Sequence, residues 1–396
     1  MDPESKWTMH RTALIVLMAT AAAHAAPLAA PAATPLFVPT PRYPCFRQPA
    51  ILLCKSTLLA FAENRNVSAC APSSLGSSAR RPDEVGSLQL KRSTDGGKSF
   101  GPMQSLYVGN IDFYSSVCDA TTGMAFLLLH APVGVAVLSS ADGGASWKTG
   151  APLDAEKLAK GDIRVSGPAV GHGIQVDGAM CARGKACAGA GRLLLPFVCA
   201  NSSASGTHGD KGCTTCNSCL LSSDDAGKSW QLGAVGQQGT RESQVVQVNS
   251  TGGGAALYAC ERNMGAHPGL KQWARSADGG ASYTSFGTST LVAPVTAHWT
   301  GIVGGIERLA GGALVYSGPD NPKLRAGMAL HVSKDAGASW PASGAKMLWP
   351  GPAGYSDMIA LPGRESVAVI FECGTKSFAD QVSVAIVSKA WLQSSR

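Results

Sequence analysis

Apolar residues in this chain come in short runs or in alternation with polar ones, and almost nowhere at helical spacing. Leu88-Gln89-Leu90, Met124 to Leu129, Leu193 to Val198, Val245 to Val248 and Val367 to Phe371 are typical, with Gly, Asn, Asp and Pro standing between such segments. Alternation marks a half-buried strand; a short apolar run bounded by turn residues marks a fully buried one. Only Pro152 to Lys160 offers a turn or two of helix. The expected fold class is all-β.

An eight-residue pattern recurs five times between these segments. It starts at Ser93 (STDGGKSF), Ser140 (SADGGASW), Ser223 (SDDAGKSW), Ser276 (SADGGASY) and Ser333 (SKDAGASW), with the common form S-x-D-x-G-x-S followed by an aromatic. Each position has a use in a tight turn between strands. The Asp accepts from turn amides, the Gly supplies backbone freedom, and the aromatic plugs the core beside the hairpin. The starts lie 47, 83, 53 and 57 residues apart, and internal repeats at roughly 40–50 residues point to a β-propeller with one turn motif per blade. The long interval holds the Cys-rich stretch Cys181 to Cys219, read as an insertion. The pattern resembles the Asp-box of sialidases. That resemblance implies a six-bladed β-propeller in which the tail after Tyr355 pairs with an early strand to close the ring. The box also occurs in propellers that hydrolyse nothing, so its own residues are expected only to brace hairpins.

Composition agrees with one large domain. The 396 residues are 45% hydrophobic and 15% charged, with 47 glycines, which suits many short strands and turns. The net charge of +7 is scattered without a Lys/Arg run. Nothing supports a nucleic-acid role, whereas a mildly basic surface favours anionic glycans. Lys6 and Arg11, the apolar stretch Thr12 to Ala23, and Ala23-His24-Ala25 read as a secretory signal peptide over residues 1–25, with an uncleaved signal anchor as the alternative. No stable membrane span is expected. Residues 26–41 are Ala/Pro-rich and read as an unstructured leader into a domain over 42–396. Twelve cysteines and sequons at Asn66, Asn201 and Asn249 fit a secreted or lumenal protein. The Cys213-x-x-Cys216-x-x-Cys219 spacing has no second ligand pair after it, so disulfides are expected rather than zinc.

Phe46-Arg47-Gln48-Pro49 and Leu58-Leu59-Ala60-Phe61-Ala62-Glu63-Asn64-Arg65 are similar to the sialidase F/Y-R-I-P segment and the segment downstream of it, with Gln48 replacing the usual Ile. The resemblance makes Arg47 the first of three arginines clamping a substrate carboxylate, followed by Arg262 in Cys260-Glu261-Arg262-Asn263 and Arg325 before the fifth box. Guanidinium forks bind planar anions bidentately and stay charged. Tyr355, in Gly351-Pro352-Ala353-Gly354-Tyr355-Ser356-Asp357, matches the family nucleophile. A neutral phenol avoids repulsion by the substrate's own carboxylate. Glu242, in Arg241-Glu242-Ser243-Gln244, matches the base that takes the phenol proton. Asp83 is the expected general acid, with Glu84 as fallback, and Glu372 the acid that orients Arg47. Arg65 is expected near the sugar's polar substituents, and Asp112 either contacts substrate or caps a turn. His172 is expected at the pocket rim or in a structural role. No metal and no cofactor are implied. The resemblance implies an exo-α-sialidase acting with retention on sialylated glycans. The alternatives are transfer instead of hydrolysis, a deaminated sugar as substrate, and a non-catalytic sialoglycan-binding propeller.

Overall fold

The structure, a computed structural model, describes residues 28–67, 70, 86–109, 111, 113–131, 134–181, 187–201, 215–250, 254–264, 269–292 and 301–394. Asp83, Glu84 and Asp112 lie outside the described residues, as does the segment 1–25.

After β1 (Thr34–Phe37), the first sheet is β2 (Phe46–Cys54), β3 (Thr57–Asn64), β4 (Ser87–Ser93) and β5 (Gln104–Val108). The second is β6 (Tyr114–Asp119), β7 (Met124–Ala131), β8 (Gly134–Ser140) and β9 (Lys148–Thr149). The third begins with β10 (Ile163–Pro168). The chain then lends the short β11 (Gly171–His172) to the second sheet, parallel to β6, and returns through β12 (Ile174–Gln175). β13 (Leu193–Asn201), β14 (Cys216–Ser223) and β15 (Gln231–Gln238) complete the third sheet. The fourth is β16 (Thr240–Val248), β17 (Ala256–Asn263), β18 (Leu270–Ser276) and β19 (Ser285–Val292). The fifth joins β20 (Ile306–Arg308), β21 (Leu314–Pro319), β22 (Ala326–Ser333), β23 (Lys346–Ala360), β24 (Ser366–Cys373), β25 (Gln381–Ser388) and finally β1.

The arrangement is a β-propeller, but the sheet count differs from the six separate blades expected. Four blade-sized sheets stand apart, and the remainder is one seven-stranded sheet. The cause is β23, 15 residues long, which pairs with β22 through its first half and with β24 through its second. The expected closure by the tail is present, with β25 pairing antiparallel to β1. The unstructured leader expected through Pro41 is therefore corrected: Thr34–Phe37 is a strand, and Phe37 is 1% exposed. The Cys-rich stretch, read as an insertion, also carries blade strands: β13 and the start of β14 fall within it, and Cys199–Cys219 bridges the two. Further disulfides join Cys181 to Cys187, Cys45 to Cys70, and Cys54 on β2 to Cys118 on β6. The 152–160 segment forms turns rather than helix.

All five repeats close the same hydrogen-bond net at the turn that leaves the third strand of a blade. In the second, the Ser140 hydroxyl donates to Asp142 (2.8 Å) and accepts from the Gly144 amide (2.9 Å), while Asp142 accepts from the Ser146 amide and hydroxyl (2.9 and 2.6 Å). Gly144 has φ of 79°, and a Cβ there would press into Leu59 of the neighbouring sheet, so only glycine fits. The aromatics that end the repeats pack between sheets, among them Trp147 beside Phe61, and Trp230 beside Phe126. The strand set β23–β24–β25–β1 has no such turn, because its outer strand comes from the other end of the chain.

Leu, Val, Ile and aromatic side chains fill every interface around the ring, from Phe61, Leu90 and Leu127 at one junction to Phe37, Ile51, Ile370 and Val382 where the ends meet. Among the buried polar groups that interrupt this pattern is Glu261. Glu261 is 0% exposed and takes the Ser218 hydroxyl on one oxygen, while Oε2 has no partner among the described residues. Burial raises its carboxyl to about 7, against the Ser218 bond that lowers it.

Two outcomes follow. Phe37→Ala should destabilise the protein by about 3 kcal/mol in chemical denaturation, because a buried ring at the closing strand is lost; an unstructured leader would show no effect. Unfolding frees Glu261 to ionise near 4.5, so its burial costs stability progressively as pH rises from there to about 7. Glu261→Gln should melt higher than wild type at pH 8 and no higher at pH 4.5.

Candidate active site

Three inner strands carry the same irregularity, and it falls on the residues singled out from the sequence. On β2, pairing with β3 jumps from Arg47↔Glu63 to Ala50↔Phe61, leaving Gln48 and Pro49 opposite Ala62. On β16 it jumps from Thr240↔Asn263 to Ser243↔Glu261, setting Arg241 and Glu242 against Arg262. On β23 it jumps from Ala353↔Cys373 to Ser356↔Phe371, setting Gly354 and Tyr355 against Glu372. A bulge of this kind puts two residues opposite one, sharpens the local twist and re-aims a side chain out of the alternating pattern. The local sequence suits it. Pro49 has no N–H to leave unpaired, and Gln48 adopts φ of 51° while its carbonyl accepts from the Tyr114 hydroxyl at 2.5 Å. A Cβ on Gly354 would collide with the Glu372 carboxylate.

Glu372, on β24, takes four donors. Arg47 Nε and Nη2 reach it at 2.7 and 3.3 Å, the Gln48 amide at 2.7 Å and the Tyr355 amide at 3.0 Å. Both Arg47 and Glu372 are buried. Desolvating this pair is costly, and the two backbone bonds satisfy carboxylate lone pairs that would otherwise be left bare.

Tyr355 is 4% exposed and its hydroxyl lies 3.2 and 3.1 Å from the two Glu242 oxygens. Arg262 Nη1 donates to both of these oxygens, at 2.7 and 2.9 Å, and to the Tyr355 hydroxyl at 2.9 Å. Burial raises the Tyr355 phenol, and Glu242 adds to this against Arg262, Arg325 and Arg47, so the phenol is protonated at neutral pH. Burial also pushes Glu242 up, but Arg262 and Arg241 outweigh it and hold the carboxyl below its usual range. The result is an ionised base against a neutral phenol, each in reach of the other.

Arg325 lies immediately before β22, its guanidinium carbon 5.6 Å from the Tyr355 ring centroid and 5.3 Å from that of Phe378. Arg47 approaches the same rings at 5.9 and 5.0 Å. Arg47, Arg262 and Arg325 thus converge on Tyr355 from β2, β17 and the start of β22. Arg65 is buried and paired with Glu63 at 3.0 Å. His172 is buried against Asp357, two residues beyond Tyr355. Among the described residues no group of His, Cys, Asp and Glu is arranged to hold a metal ion.

Sequence reasoning did not single out Phe378, Arg241 or Asp357 for the site. Arg241 stacks on Phe113 at 5.1 Å and lowers Glu242; its adjacency to Glu242 was the available signal. Phe378 sits in a loop with no periodicity to mark it.

Residues 130–365 match the family model of the BNR repeat-like domain. The chain is 24% identical to mouse (Mus musculus) Sialidase-3 over 415 residues, covering 87% of this chain and 91% of the relative. It is 26% identical to the sialidase of Micromonospora viridifaciens over 385 residues, covering 88% of this chain and 52% of that protein, so it spans about half the bacterial relative. Among solved structures, the intramolecular trans-sialidase from Ruminococcus gnavus in complex with oseltamivir carboxylate superposes with a TM-score of 0.66 at 14% identity, covering 92% of this chain and 99% of the other. A Hadza microbial sialidase gives 0.65 at 16% identity, covering 87% and 66%. With the five braced turns, the ring of sheets and this match over more than half its length, the chain belongs to the sialidase family of BNR-repeat β-propellers.

Proposed function

We propose that the protein is a retaining exo-α-sialidase that hydrolyses terminal sialic acids from glycoconjugates. The observation that carries the reading is the contact among Tyr355, Glu242 and Arg262, in which a protonated phenol meets an ionised carboxylate beneath converging arginines. The names of the relatives, sialidases from mammals and a bacterium, agree with it.

In the proposed mechanism Arg47, Arg262 and Arg325 hold the substrate carboxylate, with Glu372 fixing Arg47. Tyr355 Oη attacks the anomeric carbon and passes its proton to Glu242. The bond to the leaving oxygen breaks, its electron pair stays on that oxygen, and Asp83 protonates it, with Glu84 as the alternative donor. Water then attacks the anomeric carbon and gives a proton to the Asp83 carboxylate, while Glu242 returns its proton to the departing phenolate. Two displacements at one carbon give net retention. The arginines supply the positive field for the carboxylate, and none of these steps draws on a cofactor. Arg65 and Asp112 are proposed contacts to the sugar's substituents.

The same reading takes residues 1–25 as a signal peptide, places the protein in the secretory pathway, and extends the propeller domain back to include β1. No described helix is long and apolar enough to cross a membrane. A second reading, transfer to an acceptor within the same sugar, is favoured by the likeness to an intramolecular trans-sialidase along nearly all of its length.

Hydrolysis of a fluorogenic N-acetylneuraminic acid glycoside, with its deaminated analogue alongside, tests the proposal. Tyr355→Phe should lower kcat at least about 100-fold, the scale of a lost covalent route. Product analysis separates free sugar from an internal anhydro product. Retained glycan binding with no turnover in wild type would instead make the propeller a lectin. Glu242 must be ionised to act, so the acidic limb of kcat/KM that it sets should lie below pH 4.5. Glu242→Gln should remove most turnover while leaving the melting profile cooperative.

A further inference from the structure

Two carboxylates, not one, tie β2 to β23, strands that share no sheet ladder. Glu372 binds the amides of Gln48 and Tyr355. Asp357, 0% exposed, binds the amide of Ile51 on β2 at 3.0 Å and that of Met358 on β23 at 2.9 Å. Arg47 neutralises the first. The cation facing the second is His172, 1% exposed, with Nδ1 2.9 Å from Asp357 Oδ1. On its other side, Nε2 lies 3.7 Å from Glu307 Oε1. The other Glu307 oxygen accepts from Arg364 at 3.1 Å and from the Arg308 amide at 2.9 Å.

The backbone around His172 is built to bring it there. A Cβ on Gly173 would run into the Leu194 carbonyl. At Gly171, with φ of 119°, it would run into the Gln244 amide, which donates to the Val170 carbonyl at 2.7 Å. Gln244 follows Glu242 by two residues on β16. The Gly171-His172-Gly173 segment therefore meets the strand of the base directly, and reaches the strands of Arg47 and Tyr355 through Asp357.

We propose that His172, as a buried imidazolium, is a positioning residue: by neutralising Asp357 between Ile51 and Met358 it sets the offset of β2 against β23 that brings Arg47 to the Tyr355 ring. The inference rests on the sialidase reading for its kinetic consequence, and on geometry alone for its structural one. A neutral side chain there would leave Arg364 on Glu307 but no facing cation on Asp357 among the described residues, and the strands would shift to relieve that carboxylate. Burial opposes the charge, but Asp357 and Glu307 outweigh it and raise the imidazole to about 10.

The test compares wild type with His172→Gln. The variant should fold with an unchanged far-UV spectrum and a cooperative melt. Its kcat on the fluorogenic glycoside should fall at least about tenfold and KM should rise by less than kcat falls, because Arg262 and Arg325 still hold the substrate carboxylate while Arg47 and the phenol lose their register. Wild-type kcat in the variant, or a lowered Tm without loss of kcat, overturns the proposal. The melts also decide it without turnover. The imidazolium's contribution is full below its unfolded value of 6.5 and disappears as pH rises through about 10, so the Tm difference between the two proteins should shrink over that range. A constant difference overturns the tie. Absence of turnover in wild type would remove the sialidase reading and leave the melts as the deciding measurement. Should His172→Gln not fold, Asp357→Asn, which keeps an acceptor for Ile51 and removes the charge, is judged by the same criteria.

Discussion

The buried carboxylate of Glu372 is the constraint around which the site is organised. It collects two bonds from Arg47 and one each from the backbone of Gln48 and Tyr355, all without solvent. An ionised carboxylate in such a place is tolerable only when its lone pairs are filled and a cation is close. Meeting those conditions forces β2 and β23 into one relative position. Glu372 thus fixes Arg47 beside Tyr355, and Asp357 ties the same two strands a few residues further along.

The bulges make that position usable. A regular strand sends successive side chains to opposite faces, which in a propeller means toward the neighbouring sheets. Arg47, Glu242 and Tyr355 each lie in or beside a place where one residue of a strand goes unmatched, and the side chains leave the alternation to meet one another. The energetic load of so many charges in a buried site is then spread over paired contacts: Arg47 with Glu372, Arg262 with Glu242, Arg65 with Glu63, and His172 with Asp357. The apolar junctions between sheets and the braced turns hold the frame rigid enough for these pairs to stay in register.

Much of this was legible in the chain. The five turn motifs are local, each closed by bonds within seven consecutive residues, so their spacing announced repeated hairpins before any contact was known. The segments around Arg47, Glu242, Tyr355 and Glu372 were recognisable through their resemblance to sialidase segments; that the strands bulge there, with Arg47, Glu242 and Tyr355 in or beside the irregularities, only the pairing showed. The expected general acid lies outside the described residues, so its segment adds nothing to the geometry. Strand β1 was missed because an Ala/Pro-rich stretch has little intrinsic strand character. It is a strand because β25 offers it an edge and the interior takes Phe37.

What the sequence by itself determined is local: short strands, braced turns, their repetition, and the order of the site residues along the chain. Only the tertiary structure decided that β23 runs through two strand sets as one, that the chain's ends share an edge, and that Asp357 and His172, 185 residues apart, form a buried pair. The physical reason is range. Periodicity and turn chemistry act over a few residues, whereas a buried charge finds its partner only when distant strands have already been brought together by the packing between sheets.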